Sequence, residues 1–231
     1  MSRVLAAARL HTVAWPLTLS WPWGIMASSF LLNLAIFGAI GDRMEGDAKT
    51  GGLLSLYITM AIVAGSSVTQ VFPYALGMSV TRRTFYAATA LVMTALSIAF
   101  AVSLYLLKLL EQATGGWGLS MRFFAVDLID VHNGLLQVLV YAVPLLFVCF
   151  FGMFSGVVFA RWGINGVFAM TVAGLLGLGL VALVITWSGA WRTAGHWFAD
   201  QPPAALFAGW PMLLVLALAG GGYALLRRAQ A

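Results

Sequence analysis

The chain has 231 residues, of which 62% are hydrophobic and only 8% charged. A soluble domain carries about 25% charged residues, so this chain has too few to cover a water-facing surface, and a mean hydropathy of +0.97 excludes an ordinary soluble fold. The formal charge of +5 does not point to nucleic acid, because no basic cluster with interleaved aromatics occurs; arginines flanking apolar segments are what membrane topology requires.

In chain order, residues 1–19 combine Arg3 and Arg9 with Val4, Leu5, Leu10, Val13 and Trp15, which suggests a helix lying along the membrane surface. Pro16 and Pro22 interrupt the stretch and no A-x-A site follows, so it reads as retained and not as a cleaved leader. The SWPWG of Ser20–Gly24 punctuates the chain, and a first span covers 20–41 with Ser28, Ser29 and Asn33 but no charge. A polar loop with Asp42, Glu45 and Asp47 leads to a second span, 52–72. Its Thr59, Ser66 and Gln70 share one helical face, with Thr69 beside them. Together with Asn33 they are candidates to line a pathway, or else they hydrogen-bond between helices.

The stretch PYALGMSVTRRT, Pro73–Thr84, then reads as a tight basic turn between two uncharged runs. A third span covers 85–107. The loop Lys108–Asn133 contains GGWG and the charges Glu111, Arg122, Asp127 and Asp130. A fourth span, 135–158, has Pro144 as a kink site and a G-x-x-x-G at Gly152 and Gly156 that lets another helix approach closely. A short turn, Phe159–Asn165, holds Arg161 and Trp162. The fifth span, 166–186, has Gly174, Gly177 and Gly179 near its middle. The segment Trp187–Trp210 carries four tryptophans with Arg192, His196 and Asp200, a composition suited to interfacial or re-entrant helices. A sixth span, 211–226, ends in Arg227 and Arg228. The lone Cys149 sits in an apolar run and behaves as a small hydrophobe.

The expected fold class is therefore an all-α integral membrane protein, a single domain of six transmembrane helices in the plasma membrane. With both termini cytoplasmic, the inner segments hold Arg3, Arg9, Arg82, Arg83, Arg161, Arg227 and Arg228, against Arg43, Lys49, Lys108, Arg122 and Arg192 outside. The inner turns are also the short ones, as the positive-inside rule requires. Every acidic residue falls outside, which a register shifted by one span would not explain.

No nucleophile–base pair, G-x-S-x-G or Walker A loop is present. His11, His132 and His196 lack the neighbouring ligands that zinc needs, so no catalytic and no metal site is assigned. No Asp, Glu, Lys, Arg or His lies in the centre of any span. Proton-driven carriers need titratable groups at membrane depth, so the energy for any transport is expected from outside the chain, through the short inner turns. Two other classes stay open. One is a membrane-embedded lipid-modifying enzyme using Glu111, Asp127, Asp130, His132, His196 and Asp200. The other is a secondary transporter coupling ions through backbone carbonyls at broken helices.

Phe72–Ala90, FPYALGMSVTRRTFYAATA, resembles the F-P-x-A-L-G-x-x-x-x-R-R stretch of small permeases of the ABC type 2 exporter family, and ATGGWG at Ala113–Gly118 resembles the same group. The likeness in layout extends over nearly the whole chain. It implies a permease subunit working as a homodimer or as a heterodimer with a sister permease, meeting at spans one and five. Separate cytoplasmic ABC ATPases would hydrolyse ATP with Mg; no cofactor is expected in this chain itself. The resemblance further implies a coupling helix at Tyr74, Ala75, Leu76, Gly77, Met78, Ser79, Val80, Thr81, Arg82 and Arg83. Arg161, Trp162 and Asn165 would form a secondary inner contact, and Trp187–Trp210 the external re-entrant helices.

Overall fold

The structure is a computed structural model that describes Val4, Ala7, Ala8 and residues 15–40 and 48–227. The surface helix expected before Trp15, the acidic loop of Asp42, Glu45 and Asp47, and Arg3, Arg9, His11, Arg43 and Arg228 lie outside the described residues.

The described residues are almost entirely helical. Helix α1 spans Trp15–Ile40, α2 Leu54–Gly77, α3 Arg82–Ala113, α4 Gly134–Trp187, α5 Trp191–Asp200 and α6 Trp210–Leu226. Five of the helices are long and apolar enough to cross a membrane, the last counted from Ala205. This supports an all-α membrane protein by length and composition.

Several boundaries differ from the sequence reading. SWPWG does not punctuate the chain: α1 runs through Pro22, and α2 likewise runs through Pro73 to Gly77. A proline removes one amide donor and crowds one carbonyl, a defect that Pro22 and Pro73 leave local, since the helix continues on both sides of each. Helix α3 continues past Lys108 to Ala113, which brings Lys108 and Glu111 into its last turns.

The turn expected at 159–165 is a single broken residue. Helical geometry holds throughout α4 except at Gly163, where φ is 63° and ψ −157°. That combination is open to glycine and strained for other residues. The axis bends hard there. A Cβ on Gly166 would lie 3.3 Å from the carbonyl oxygen of Val158, whereas eight residues along a straight helix are about 12 Å apart. Helix α4 is thus two arms, 134–162 and 164–187, and each exceeds the roughly 20 residues that a crossing needs.

The core lies between α2, α3 and the first arm of α4. Met60, Ala64 and Val68 of α2 pack with Met93, Ala101 and Leu104 of α3 and with Leu145, Cys149, Met153 and Val157 of α4, all fully buried. The G-x-x-x-G pair sits at this contact. A Cβ on Gly156 would come 2.8 Å from the Gly65 carbonyl oxygen and 2.9 Å from the Val68 Cβ, and one on Gly152 would run into the Ala61 carbonyl. The two backbones touch directly, as small residues in membrane helices permit. Helix α6 closes over α3 through the Tyr86 hydroxyl, which donates to the Ala219 carbonyl at 2.8 Å.

Two surfaces are left bare. No residue of the second arm of α4 is buried, and its Leu175, Leu178 and Leu180 are largely exposed, as are Trp21, Leu32 and Ile36 of α1. An apolar surface of this extent needs lipid or another protein against it. Ala48–Lys49 (β1) pairs in parallel with Met121–Arg122 (β2), tying the segment before α2 to the segment after α3 at the same end of the bundle.

Candidate functional site

The arginine-bearing end of the bundle is built by helix termini. Helix α2 stops at Gly77. Ser79 takes a left-handed φ of 59°, and Val80 donates its N–H back to the Ala75 carbonyl at 3.0 Å. Thr81 then caps α3: its hydroxyl oxygen accepts the Thr84 N–H at 3.2 Å. The connection is therefore only Met78–Thr81, flanked by the last turn of α2 and the first of α3, and no separate helix forms across Tyr74–Arg83. It is a blunt, exposed tip: Tyr74 is 76% and Met78 56% exposed, with Gly77, Ser79, Thr81 and Arg83 open beside them, while Ala75 is buried beneath. Thr81→Ala is expected to lower stability by about 1 kcal/mol, the usual worth of an N-cap; thermal unfolding in detergent measures it, and Thr81→Ser should retain most of the effect.

Arg82 reaches from this turn to the end of α6, where its Nη1 donates to the Arg227 carbonyl at 3.5 Å. The Arg227 guanidinium lies 5.9 Å from the centre of the Tyr223 ring, and that of Arg161 lies 4.4 Å over the Trp162 ring. Asn165 is exposed beyond the Gly163 corner. Among the described residues, none of Arg82, Arg83, Arg161 and Arg227 has a carboxylate within ion-pair distance.

Negative charge is at the other end of α3, about 45 Å away over the 29 residues from Arg82 to Glu111. There Glu111 is 2% exposed. Its carboxylate accepts the backbone N–H groups of Phe123, Phe124 and Ala125 at 2.8–3.2 Å and the Trp117 indole N–H at 3.0 Å. Phe30 of α1 packs against Trp117, Phe123 and Phe124, so Glu111 holds an aromatic cover onto the end of the bundle. Lys108, equally buried, bonds Asp130 at 2.5 Å and the Gln137 Oε1 at 2.8 Å. Gln137 also accepts the Val131 N–H and donates to the Ile129 carbonyl. Tyr141 donates to the Phe124 carbonyl at 2.7 Å, and Asp127 pairs with Arg122.

The residues considered for a lipid-modifying centre are not brought together. Glu111, Asp127 and Asp130 each hold the loop in place. His132, His196 and Asp200 are exposed, the last two on α5. Among the described residues no three His, Cys, Asp or Glu side chains are placed to share a metal ion.

The four pathway candidates lie on two helices and differ in exposure. Asn33 lines a shallow groove along α1 with Ser29, Leu32 and Ile36, and its amide donates to the Ser29 carbonyl at 2.8 Å. On α2, Thr59 is buried and bonds the Ser55 carbonyl at 2.7 Å, Ser66 is half-buried and Gln70 exposed. Sequence reasoning passed over Gln137, Tyr141 and Trp117. The signal available for Gln137 was an amide one turn into an otherwise apolar span, a position where a buried partner is required.

Comparison of the chain with models of protein families, with curated proteins and with solved structures found no match.

Proposed function

We propose that this chain is the permease subunit of an ATP-driven exporter of the ABC type, embedded in the plasma membrane and driven by separate cytoplasmic ATPase subunits. In this reading the two arms of α4 are separate spans, giving six crossings with both termini cytoplasmic, and the α5 region with Ala205–Gly209 lies in the outer interface. The observation that carries the reading is the Met78–Thr81 tip. It exposes two large apolar side chains, Tyr74 and Met78, beside Arg83, at an end where Arg82, Arg83, Arg161 and Arg227 have no carboxylate partner among the described residues. A water-facing knob of this composition is suited to a groove on another protein, with aromatic, methionine and arginine side chains as anchors.

The missing separate coupling helix changes the expected contact. The tip would insert end-on, with Tyr74 and Met78 as the buried anchors and Arg82 and Arg83 at the rim. The bare faces of α1 and of the second arm of α4 supply apolar surface for a second permease copy, and the cargo path would run between the two copies.

The test is co-purification from native membranes followed by assay of Mg-ATP hydrolysis. The wild-type chain should bring down an ATPase in fixed ratio. Tyr74→Ala/Met78→Asp/Arg83→Glu should lose at least about tenfold of that ATPase, since removing central anchors costs roughly 2 kcal/mol or more. A permease recovered without ATPase, together with export that survives ATP depletion, would sink the reading.

A further inference from the structure

We propose that the groove between the Gly163 corner of α4 and the end of α6 binds the phosphate of an anionic phospholipid. Arg161, Ala224, Leu225 and Arg227 line the groove. Its lining sets two arginine side chains beside the apolar Ala224 and Leu225, the division of a lipid into headgroup and acyl chain.

Each guanidinium is steadied by an aromatic ring, Arg161 by Trp162 and Arg227 by Tyr223, so less freedom is lost when an anion arrives. Neither cation is neutralised by a carboxylate among the described residues. Arg82 adds a third positive charge beside them, held by the Arg227 carbonyl, so among the described residues the groove is positive with no carboxylate paired to it. A planar guanidinium matches two phosphate oxygens at once. The depth also fits. Leu226 is the last residue of α6 and Arg161 lies two residues before the corner of α4, so both arginines sit where apolar helix gives way to headgroups. Phe159 and Trp162 are both exposed beside them and would face acyl chains. Basic pockets between membrane helices are known to take anionic headgroups.

This inference does not depend on the ATPase reading, and none of its test substitutions touches the 74–83 tip. The purified full-length chain in neutral detergent is titrated with dioleoylphosphatidylglycerol, dioleoylphosphatidylcholine or inorganic phosphate, and read by native mass spectrometry and by melting temperature. Phosphatidylglycerol should stay bound as a discrete adduct and raise the melting temperature, and the other two should do neither. R161Q/R227Q should weaken the adduct by about tenfold or more, as expected for losing charge-assisted hydrogen bonds. R161K/R227K should fall between, and Arg122→Gln, at the other end, should bind as wild type does. Should the double variant not elute as a folded species, Arg227→Gln alone, at an exposed helix end, carries the comparison. Undiminished phosphatidylglycerol binding by the glutamine variants overturns the proposal. So does equal retention of phosphatidylcholine, or inorganic phosphate matching the lipid. Loss of a bound ATPase from R161Q/R227Q with lipid binding intact would assign Arg161 to the protein partner instead.

Discussion

Gly152→Leu is expected to abolish the close contact of α2 with α4 and to lower stability by about 3 kcal/mol or more, at the upper end of what overpacking costs. Even a single Cβ at Gly152 would collide with the Ala61 carbonyl, and one at Gly156 would lie 2.8 Å from the Gly65 carbonyl oxygen. Those obstacles are backbone atoms of α2, so no rotamer change relieves them and the helices must separate. Separation also opens the packing of Met60, Ala64 and Val68 against Leu145, Cys149 and Met153, all fully buried. Gly156→Ala should show a smaller loss of the same sign. Gly174→Leu supplies the contrast: nothing lies within 4 Å of a Cβ there, and the change should leave monomer stability near wild type. Thermal unfolding in detergent measures all three. Equal melting temperatures for Gly152→Leu and Gly174→Leu would show that the two helices do not approach in this way.

Glu111→Ala should have the second largest effect, and it should be local as well as global. One carboxylate accepts three backbone N–H groups and an indole N–H, and Glu111, Phe123, Phe124 and Ala125 are all buried. Removing it strands several donors away from water, each worth roughly 1–3 kcal/mol if left unmade. The segment would escape by peeling from the bundle, so the net loss should be about 3 kcal/mol. The aromatic packing of Trp117, Phe123 and Phe124 on Phe30 would be released with it. Trypsin cleavage after Arg122, whose side chain is 41% exposed, should accelerate sharply in Glu111→Ala. Glu111→Gln should be intermediate, since it keeps one acceptor oxygen and turns an amide donor toward the remaining N–H groups. An unchanged cleavage rate in Glu111→Ala would mean that the loop is held by its aromatic contacts alone.

The class of structure could be read from the chain because a membrane helix satisfies its backbone hydrogen bonds within itself. Each long uncharged run could be assigned without knowing its neighbours, and α1, α2, α3 and α6 fall where those runs fall. The ends were less legible. Pro22 and Pro73 looked like breaks but lie inside helices, while Gly163, one of many glycines in the sequence, carries the sharp corner. A proline's local cost is visible in the sequence; whether the surroundings absorb it is not.

The candidate site divides in the same way. The tip between α2 and α3 was visible as a short basic interruption between apolar runs, because flanking charge and run length are local properties. Its shape was not: the tight Met78–Thr81 connection depends on the left-handed Ser79 and on the Thr81 cap. The sequence places Glu111 in a polar loop among candidate active-site acids, yet it lies in the last turns of α3, buried under backbone donors 12 to 14 residues further on. Arg161 and Arg227 meet at one groove only because the Gly163 corner of α4 and the end of α6 come together there. What the amino-acid order determined unaided was the all-helical, membrane-embedded class, from long apolar runs without Asp, Glu, Lys, Arg or His at their centres. This follows from transfer between water and lipid, which acts on each segment separately. Which polar groups are buried, which glycines let backbones touch and which arginines share a groove were decided only by tertiary structure, because hydrogen bonds and close packing require partners far apart in the chain to arrive at the same place.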